Sequence, residues 1–250
     1  MGDSNKENNL SDTTMSLGDH LEELRARLIL ILVGLVIGTV ICLCFGTRII
    51  TFIQGPYTEL VPDRPLSVLA PADAFVGYMK ISLISGLVIS SPWVFYQLWM
   101  FVAAGLYPNE KRYIHLAVPF STALFITGAL FFIYVVAPIS LSFFLRFGEI
   151  IGVSSIWTFQ KYVSFVTVLM LVFGIAFQTP IAIFFLNRTG LVSVAALRRS
   201  RKYVLLGVFV VAAISTPPDV ISQITLALPL YVLFELGILI SCLSGRRKTS

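Results

Sequence analysis

Charge is scarce in this chain. Only 12% of its 250 residues are Asp, Glu, Lys or Arg, while 57% are hydrophobic. A soluble globular chain carries about 25% charged residues, so the deficit excludes an ordinary water-soluble domain. Histidine is scarcer still. His20 and His115 lie far apart at the edges of apolar runs, where solvation is the usual role and a paired catalytic use has little support. The three cysteines, Cys42, Cys44 and Cys242, have no spacing that suggests a metal site or a disulfide framework. They read as small packing or lipid-side residues, with Cys42 and Cys44 on different sides of one helix. Phosphate-binding glycine loops, HExxH and GxSxG are missing, so the chain is not expected to be an enzyme, and neither a metal nor a cofactor is expected. No short apolar region ends in a small-residue cleavage site, and six acids fall within the first 27 residues. Neither a cleavable signal peptide nor an organellar transit peptide is therefore expected.

Long apolar runs, by contrast, are plentiful. Six membrane segments can be drawn, several of them near or above the length of a full span: 28–45, about 75–102, 115–145, 162–186, 203–214 and 220–243. Strict alternation of polar and apolar residues, which a lipid-facing barrel needs, is not seen. The fold class is therefore an all-α polytopic membrane protein. Prolines 92, 119, 138, 180 and 229 fall within these segments and are tolerated where neighbours or water satisfy the freed carbonyls. The net charge of +5 reflects basic residues at segment ends and is no sign of nucleic-acid binding. With the N-terminus inside, thirteen Lys and Arg residues fall in inner segments and four in outer loops. This predicts both termini in the cytoplasm.

Two lengths stand out. The fifth segment, of about 12 residues, would span only about 18 Å against a bilayer core of about 30 Å. The Ser215-Thr216-Pro217-Pro218-Asp219 turn is then expected below the outer surface, or at a thinned bilayer. The first outer loop, Gly46–Asp73, is rich in proline and is expected to fold as a cap of short pieces. Residues 1–14 read as a disordered tail, 15–243 as a single membrane domain and 244–250 as a basic tail. No similarity links the first three segments to the last three.

The junction before the first apolar run is the most telling stretch. Leu17, Leu21, Leu24 and Leu28 share one stripe at helical spacing, and Asp19, Glu22 and Glu23 fall opposite. Such a helix lays its leucines on a greasy surface and holds carboxylates toward water. Glu110, in the short inner loop Gly105–Arg112, falls at the same depth as Glu23. Two such carboxylates could each pair with a guanidinium, whose planar fork of donors matches them. The competing reading is local. Glu23 would pair with Arg27 at i,i+4 and Glu110 with Lys111 or Arg112, contributing about 0–1 kcal/mol each.

Two polar residues lie within the spans. Glu235 sits in the sixth segment, where a charge costs roughly 2.5–3.5 kcal/mol, and is expected to face protein or a water-filled recess. Gln178, beside Pro180, is placed to hydrogen-bond a freed carbonyl, in either a packing role or a substrate contact.

These residues resemble the TatC family, the large subunit of the twin-arginine protein translocase, over about residues 15–243. Three stretches carry the likeness. The first is His20-Leu21-Glu22-Glu23-Leu24-Arg25-Ala26-Arg27. The second is Tyr96-Gln97-Leu98-Trp99-Met100-Phe101 followed by Gly105-Leu106-Tyr107-Pro108-Asn109-Glu110-Lys111-Arg112. The third is Ser215-Thr216-Pro217-Pro218-Asp219-Val220 with Gln223, Pro229, Tyr231, Phe234, Glu235 and Gly237. The resemblance implies six tilted helices forming a cup-like, concave bundle in a bacterial inner membrane. It also implies recognition of export signal peptides bearing an Arg-Arg pair, and export of folded cargo driven by the proton gradient. The family's two signal-reading acids map onto Glu23 and Glu110, with Arg25, Phe101 and Tyr107 around them. Pro56 matches an outer-loop proline. Thr216, Asp219 and Gln223 fall on a surface that docks TatA-like and TatB-like single-span partners, within a complex holding more than one copy of the chain. Many relatives carry glutamate where this chain has Gln178. An amide keeps the hydrogen bonding and loses the ability to change charge.

Two rival functions fit the sequence less well. A small-solute transporter wants several buried charges and repeat symmetry, and this chain offers mainly Glu235. An intramembrane enzyme wants a paired nucleophile and base or metal ligands within the spans, and none are seen.

Overall fold

In the computed structural model the backbone is described for residues 17–104, 114–153, 157–215 and 220–246. Among these residues the chain is helical throughout its ordered elements. They are α1 (Leu17–Cys44), α2 (Gly46–Leu60), α3 (Pro71–Ala104), α4 (Ile114–Phe131), a π-type turn (Phe132–Val136), α5 (Ala137–Ile150), α6 (Phe159–Ala176), α7 (Thr179–Arg188), α8 (Val194–Arg199), α9 (Arg201–Ser215) and α10 (Val220–Arg246). Five stretches are long and apolar enough to cross a membrane: Leu21–Cys44, Pro71–Ala103, Leu116–Ile150, Phe159–Arg188 and Gln223–Leu243. The fifth expected segment forms the 15-residue α9, about 22 Å long and so shorter than a hydrocarbon core.

α1 joins the amphipathic approach and the apolar run in one helix, because Glu22 to Arg27 are all good helix formers with no breaker between. Leu21, Leu24 and Leu28 remain exposed, as a lipid-facing stripe requires. The opposite face packs along α3, the most extensive helix pairing in the molecule. Gly38 on α1 meets Gly86 on α3 at close approach, and Gly34, one turn earlier, faces the Trp93 ring. A Cβ at Gly38 would lie 2.7 Å from the Gly86 carbonyl oxygen. This is the small-xxx-small contact that substitutes for hydrophobic attraction inside a bilayer. Two aromatic donors pin its ends. Trp93 Nε1 donates to the Leu30 carbonyl at 2.9 Å, and the Tyr78 hydroxyl donates to that of Leu43.

The connection expected over Gly46–Asp73 is not a set of short pieces. It is one 15-residue helix, α2, which carries Pro56 inside it, followed by an extended run. Gly55 precedes that proline and spares the helix the clash a Cβ would make with the proline ring. Ser67 then exchanges backbone hydrogen bonds with Trp157 and Phe159, tying the loop to the start of α6. Buried Ile53, Pro56 and Tyr57 seat α2 on the core, and the Tyr162 hydroxyl donates to the Ile53 carbonyl at 2.7 Å.

α6 is the axis of that core. Tyr162, Val163, Val166, Leu169, Met170 and Phe173 are buried at helical spacing and meet Ile81, Phe132, Val136 and Leu141. The prolines are accommodated individually. Pro92 deprives the Val88 carbonyl of its helical donor, and the Ser91 hydroxyl supplies one at 2.7 Å. Ahead of Pro138 the helix relaxes into the π-type turn, where the Ala137 N–H reaches the Phe132 carbonyl. At Pro180 the fourth segment breaks between α6 and α7, leaving Phe177 and Gln178 at the joint.

Candidate functional site

The N-terminal end of α1 meets α3 through one arginine. Arg27 Nη1 donates to Gln97 Oε1 at 2.9 Å, and Nη2 donates to Glu23 Oε1 at 3.3 Å. Gln97 is 2% exposed and belongs to the core of the α1–α3 contact, whereas Arg27 and Glu23 keep 23% and 21% of their side chains open to solvent. The local pair weighed from the sequence is thus present, but it is long and uses one oxygen of Glu23. Among the described residues Oε2 has no partner. Phe101 lies one turn beyond Gln97 and is half-buried, so α3 brings both residues to this corner. Arg25 is exposed on α1. Glu110 and Tyr107 lie outside the described residues, as do Thr216 and Asp219. Gln97 stood within a recognised motif without a role, and its burial beside a charged helix end is what the linear sequence did not reveal.

A second polar group links three helices inside the bundle. Trp99 Nε1 donates to Ser121 Oγ at 2.8 Å, and Gln178 Nε2 donates to the Ser121 carbonyl at 2.8 Å. The expected partner of Gln178 was a carbonyl freed by proline; the observed one belongs to α4. The break before Pro180 exposes the amide, and the neighbouring helix takes it. Phe185 closes the site by meeting the Trp99 ring edge-on at 4.9 Å.

Glu235 is not alone. Its Oε2 accepts from Arg201 Nη2 at 2.7 Å, and its Oε1 accepts from the Tyr231 hydroxyl at 3.1 Å. The pairing was legible in principle. Arg201 lies fourteen residues before the end of α9 and Glu235 fifteen after the start of α10, so an antiparallel hairpin sets them at one depth. Gln223, one turn into α10, donates to the Phe209 carbonyl of α9 at 3.0 Å and fastens the other end of the same hairpin. Pro56 is buried within α2, away from this hairpin in sequence and element. Cys42 is buried, Cys44 exposed and Cys242 intermediate, and Arg198 donates to the Cys242 sulfur. Among the described residues no group of three or more His, Cys, Asp or Glu side chains is placed to hold a metal ion.

The architecture defines a multi-spanning all-α membrane protein in which Arg27–Gln97, Trp99–Ser121–Gln178 and Arg201–Glu235 join helices through polar side chains. Comparison with known proteins gives the family. The TatC family, Sec-independent protein translocase protein, matches residues 19–229. The Sec-independent protein translocase protein TatC of Helicobacter pylori J99 is 40% identical over 90% of this chain and 88% of its own length. That of Aquifex aeolicus is 36% identical over 94% and 98%. A crystal structure of the twin-arginine translocase receptor TatC superposes with a TM-score of 0.82 at 35% identity, covering 90% of this chain and 99% of that one. The chain belongs to the TatC family of protein translocase subunits. Its work is transport, not catalysis.

Proposed function

We propose that this chain is the twin-arginine signal-peptide receptor and core subunit of a translocase that exports folded proteins across a bacterial inner membrane. The reading rests on family membership and on one observation: Glu23 is held at the α1–α3 corner by a single 3.3 Å bond to Arg27, and among the described residues its other carboxylate oxygen has no partner. An incoming guanidinium can take both oxygens in a planar fork, while Arg27 keeps its shorter bond to Gln97. Glu110 supplies the second acid, and Arg25, Phe101 and Tyr107 surround the pair. Arginine is preferred over lysine because the fork, not the charge alone, fits the carboxylate.

The finer architecture follows the same reading. α9 is a short fifth crossing of six, both termini are cytoplasmic, as the lysine and arginine distribution favours, and the helices form a concave bundle that receives the apolar part of the signal. The α9–α10 hairpin, with Thr216, Asp219 and Gln223, docks TatA-like and TatB-like single-span partners, several copies of the chain assemble in one complex, and the proton gradient drives transport. A twin-arginine signal peptide with a photoreactive group beside its arginines tests the receptor role. Crosslinks are expected on α1 and the C-terminal end of α3. Crosslinks confined to other elements refute it.

A further inference from the structure

α3 carries a lysine within its apolar length. Lys80 lies seventeen residues before Gln97, about 26 Å along the helix axis. A hydrocarbon core is about 30 Å thick. If the Arg27–Gln97 corner marks one boundary, Lys80 sits just inside the opposite one. Its Nζ donates to Ser164 Oγ on α6 at 3.0 Å. Lys161 is exposed on α6, three residues before Ser164 and so on the same face.

No acid of the chain answers these two cations among the described residues. The two ion pairs there are Glu23–Arg27 and Arg201–Glu235. Asp73, the acid at the start of α3, accepts from the Ala70 N–H as a cap. An ammonium at the edge of the hydrocarbon is costly without a counter-charge. The anion normally found at that depth is a lipid phosphate. One turn deeper on each helix, Leu83 and Val168 are about half exposed, an apolar track leading from the cations toward the bilayer centre.

We propose that the α3–α6 face around the Lys80–Ser164 bond binds the headgroup phosphate of one anionic phospholipid in the leaflet opposite the Gln97 end. Lys80 and Lys161 pair with the phosphate, the Ser164 hydroxyl donates to it, and an acyl chain runs along Leu83 and Val168. The inference requires only that the chain spans a bilayer and is independent of signal recognition.

The test uses the full chain in phosphatidylcholine nanodiscs containing a small share of phosphatidylglycerol with a photoreactive headgroup. Labelling is expected on the α6 peptide that holds Gln160 to Val168. It should fall about thirtyfold in the Lys80→Gln/Lys161→Gln double variant, given the contribution of each lysine near an anionic surface. Labelling at the basic α8–α9 segment should persist and report that the variant is folded. If the double variant loses that signal too, the exposed single change Lys161→Gln decides, with about a fivefold loss expected. Excess phosphatidylglycerol should compete, and inorganic phosphate should not. Unchanged labelling in the folded variant, equal labelling by a phosphatidylcholine analogue, or displacement by inorganic phosphate overturns the proposal.

Discussion

Arg27 and Gln97 join two helices across 70 residues of sequence through a 2.9 Å hydrogen bond, while the same guanidinium reaches Glu23 at 3.3 Å. The inequality matters. A buried amide holds Arg27 from the α3 side and limits how closely it can cover Glu23. The partly exposed Glu23–Arg27 pair contributes about 0–1 kcal/mol, little enough for an arriving arginine to displace.

Gln97→Leu removes that restraint. Arg27 should then close on Glu23, and binding of a twin-arginine peptide should weaken by about fivefold, the scale of a 1 kcal/mol pair. Adding Arg27→Gln should restore the affinity. Equilibrium binding to the purified single and double variants checks both steps, and equal affinities throughout would remove Arg27 from the site.

The Arg201–Glu235 pair predicts coupling. Each single change, Arg201→Met or Glu235→Leu, leaves an unanswered charge on the α9–α10 hairpin. The double change leaves none and should be more stable than either single variant. A thermal-unfolding cycle in detergent should give an interaction energy of about 0.5–3 kcal/mol. Strict additivity would show that the pair does not hold the hairpin.

Two glycines should respond in opposite directions. Gly38→Ala forces a methyl against the Gly86 carbonyl and should cost about 1–3 kcal/mol by parting α1 from α3. Gly207→Ala meets nothing within 4 Å on α9 and should gain about 0.5–1 kcal/mol from helix propensity. Melting temperatures of the two variants, compared with the parent chain, separate close packing from a general intolerance of change.

Gln178→Ala should be milder for export than loss of Glu23 or Glu110. The Ser121 carbonyl loses one donor, a change of about 1 kcal/mol, while Trp99 keeps its bond to the Ser121 hydroxyl. Export of a twin-arginine reporter measures the ranking. Complete loss of export in a stable protein would give Gln178 a direct role in transport.

The spans were legible because apolar length and scarce charge are dictated by lipid, and the short fifth helix because its length is counted directly. The α2 helix was not legible. Pro56 and the prolines after it suggested broken pieces, but a single proline inside a surface helix is tolerated once its apolar face is seated on Tyr162. Partners were the harder matter. Glu235 was visible as a charge within an apolar span and Arg201 as a helix-end cation, yet their meeting depends on a hairpin that periodicity alone does not show. Gln178 was legible as a hydrogen-bonding amide beside Pro180, in packing or in a substrate contact, but its acceptor on α4 was not, because the choice is set by packing across the break. At the α1–α3 corner the sequence offered two readings of Glu23; the structure contains the local pair with Arg27, and among the described residues the other carboxylate oxygen has no partner.

Affinity for paired peptides, one carrying Arg-Arg and the other Lys-Lys, measured on the parent chain, Glu23→Gln and Glu110→Ala, bears most directly on the receptor role. Each substitution should weaken Arg-Arg binding by at least about tenfold, the worth of one charge-assisted bidentate pair, and narrow the gap between the two peptides while insertion is unaffected. Undiminished Arg-Arg affinity in both variants would contradict it.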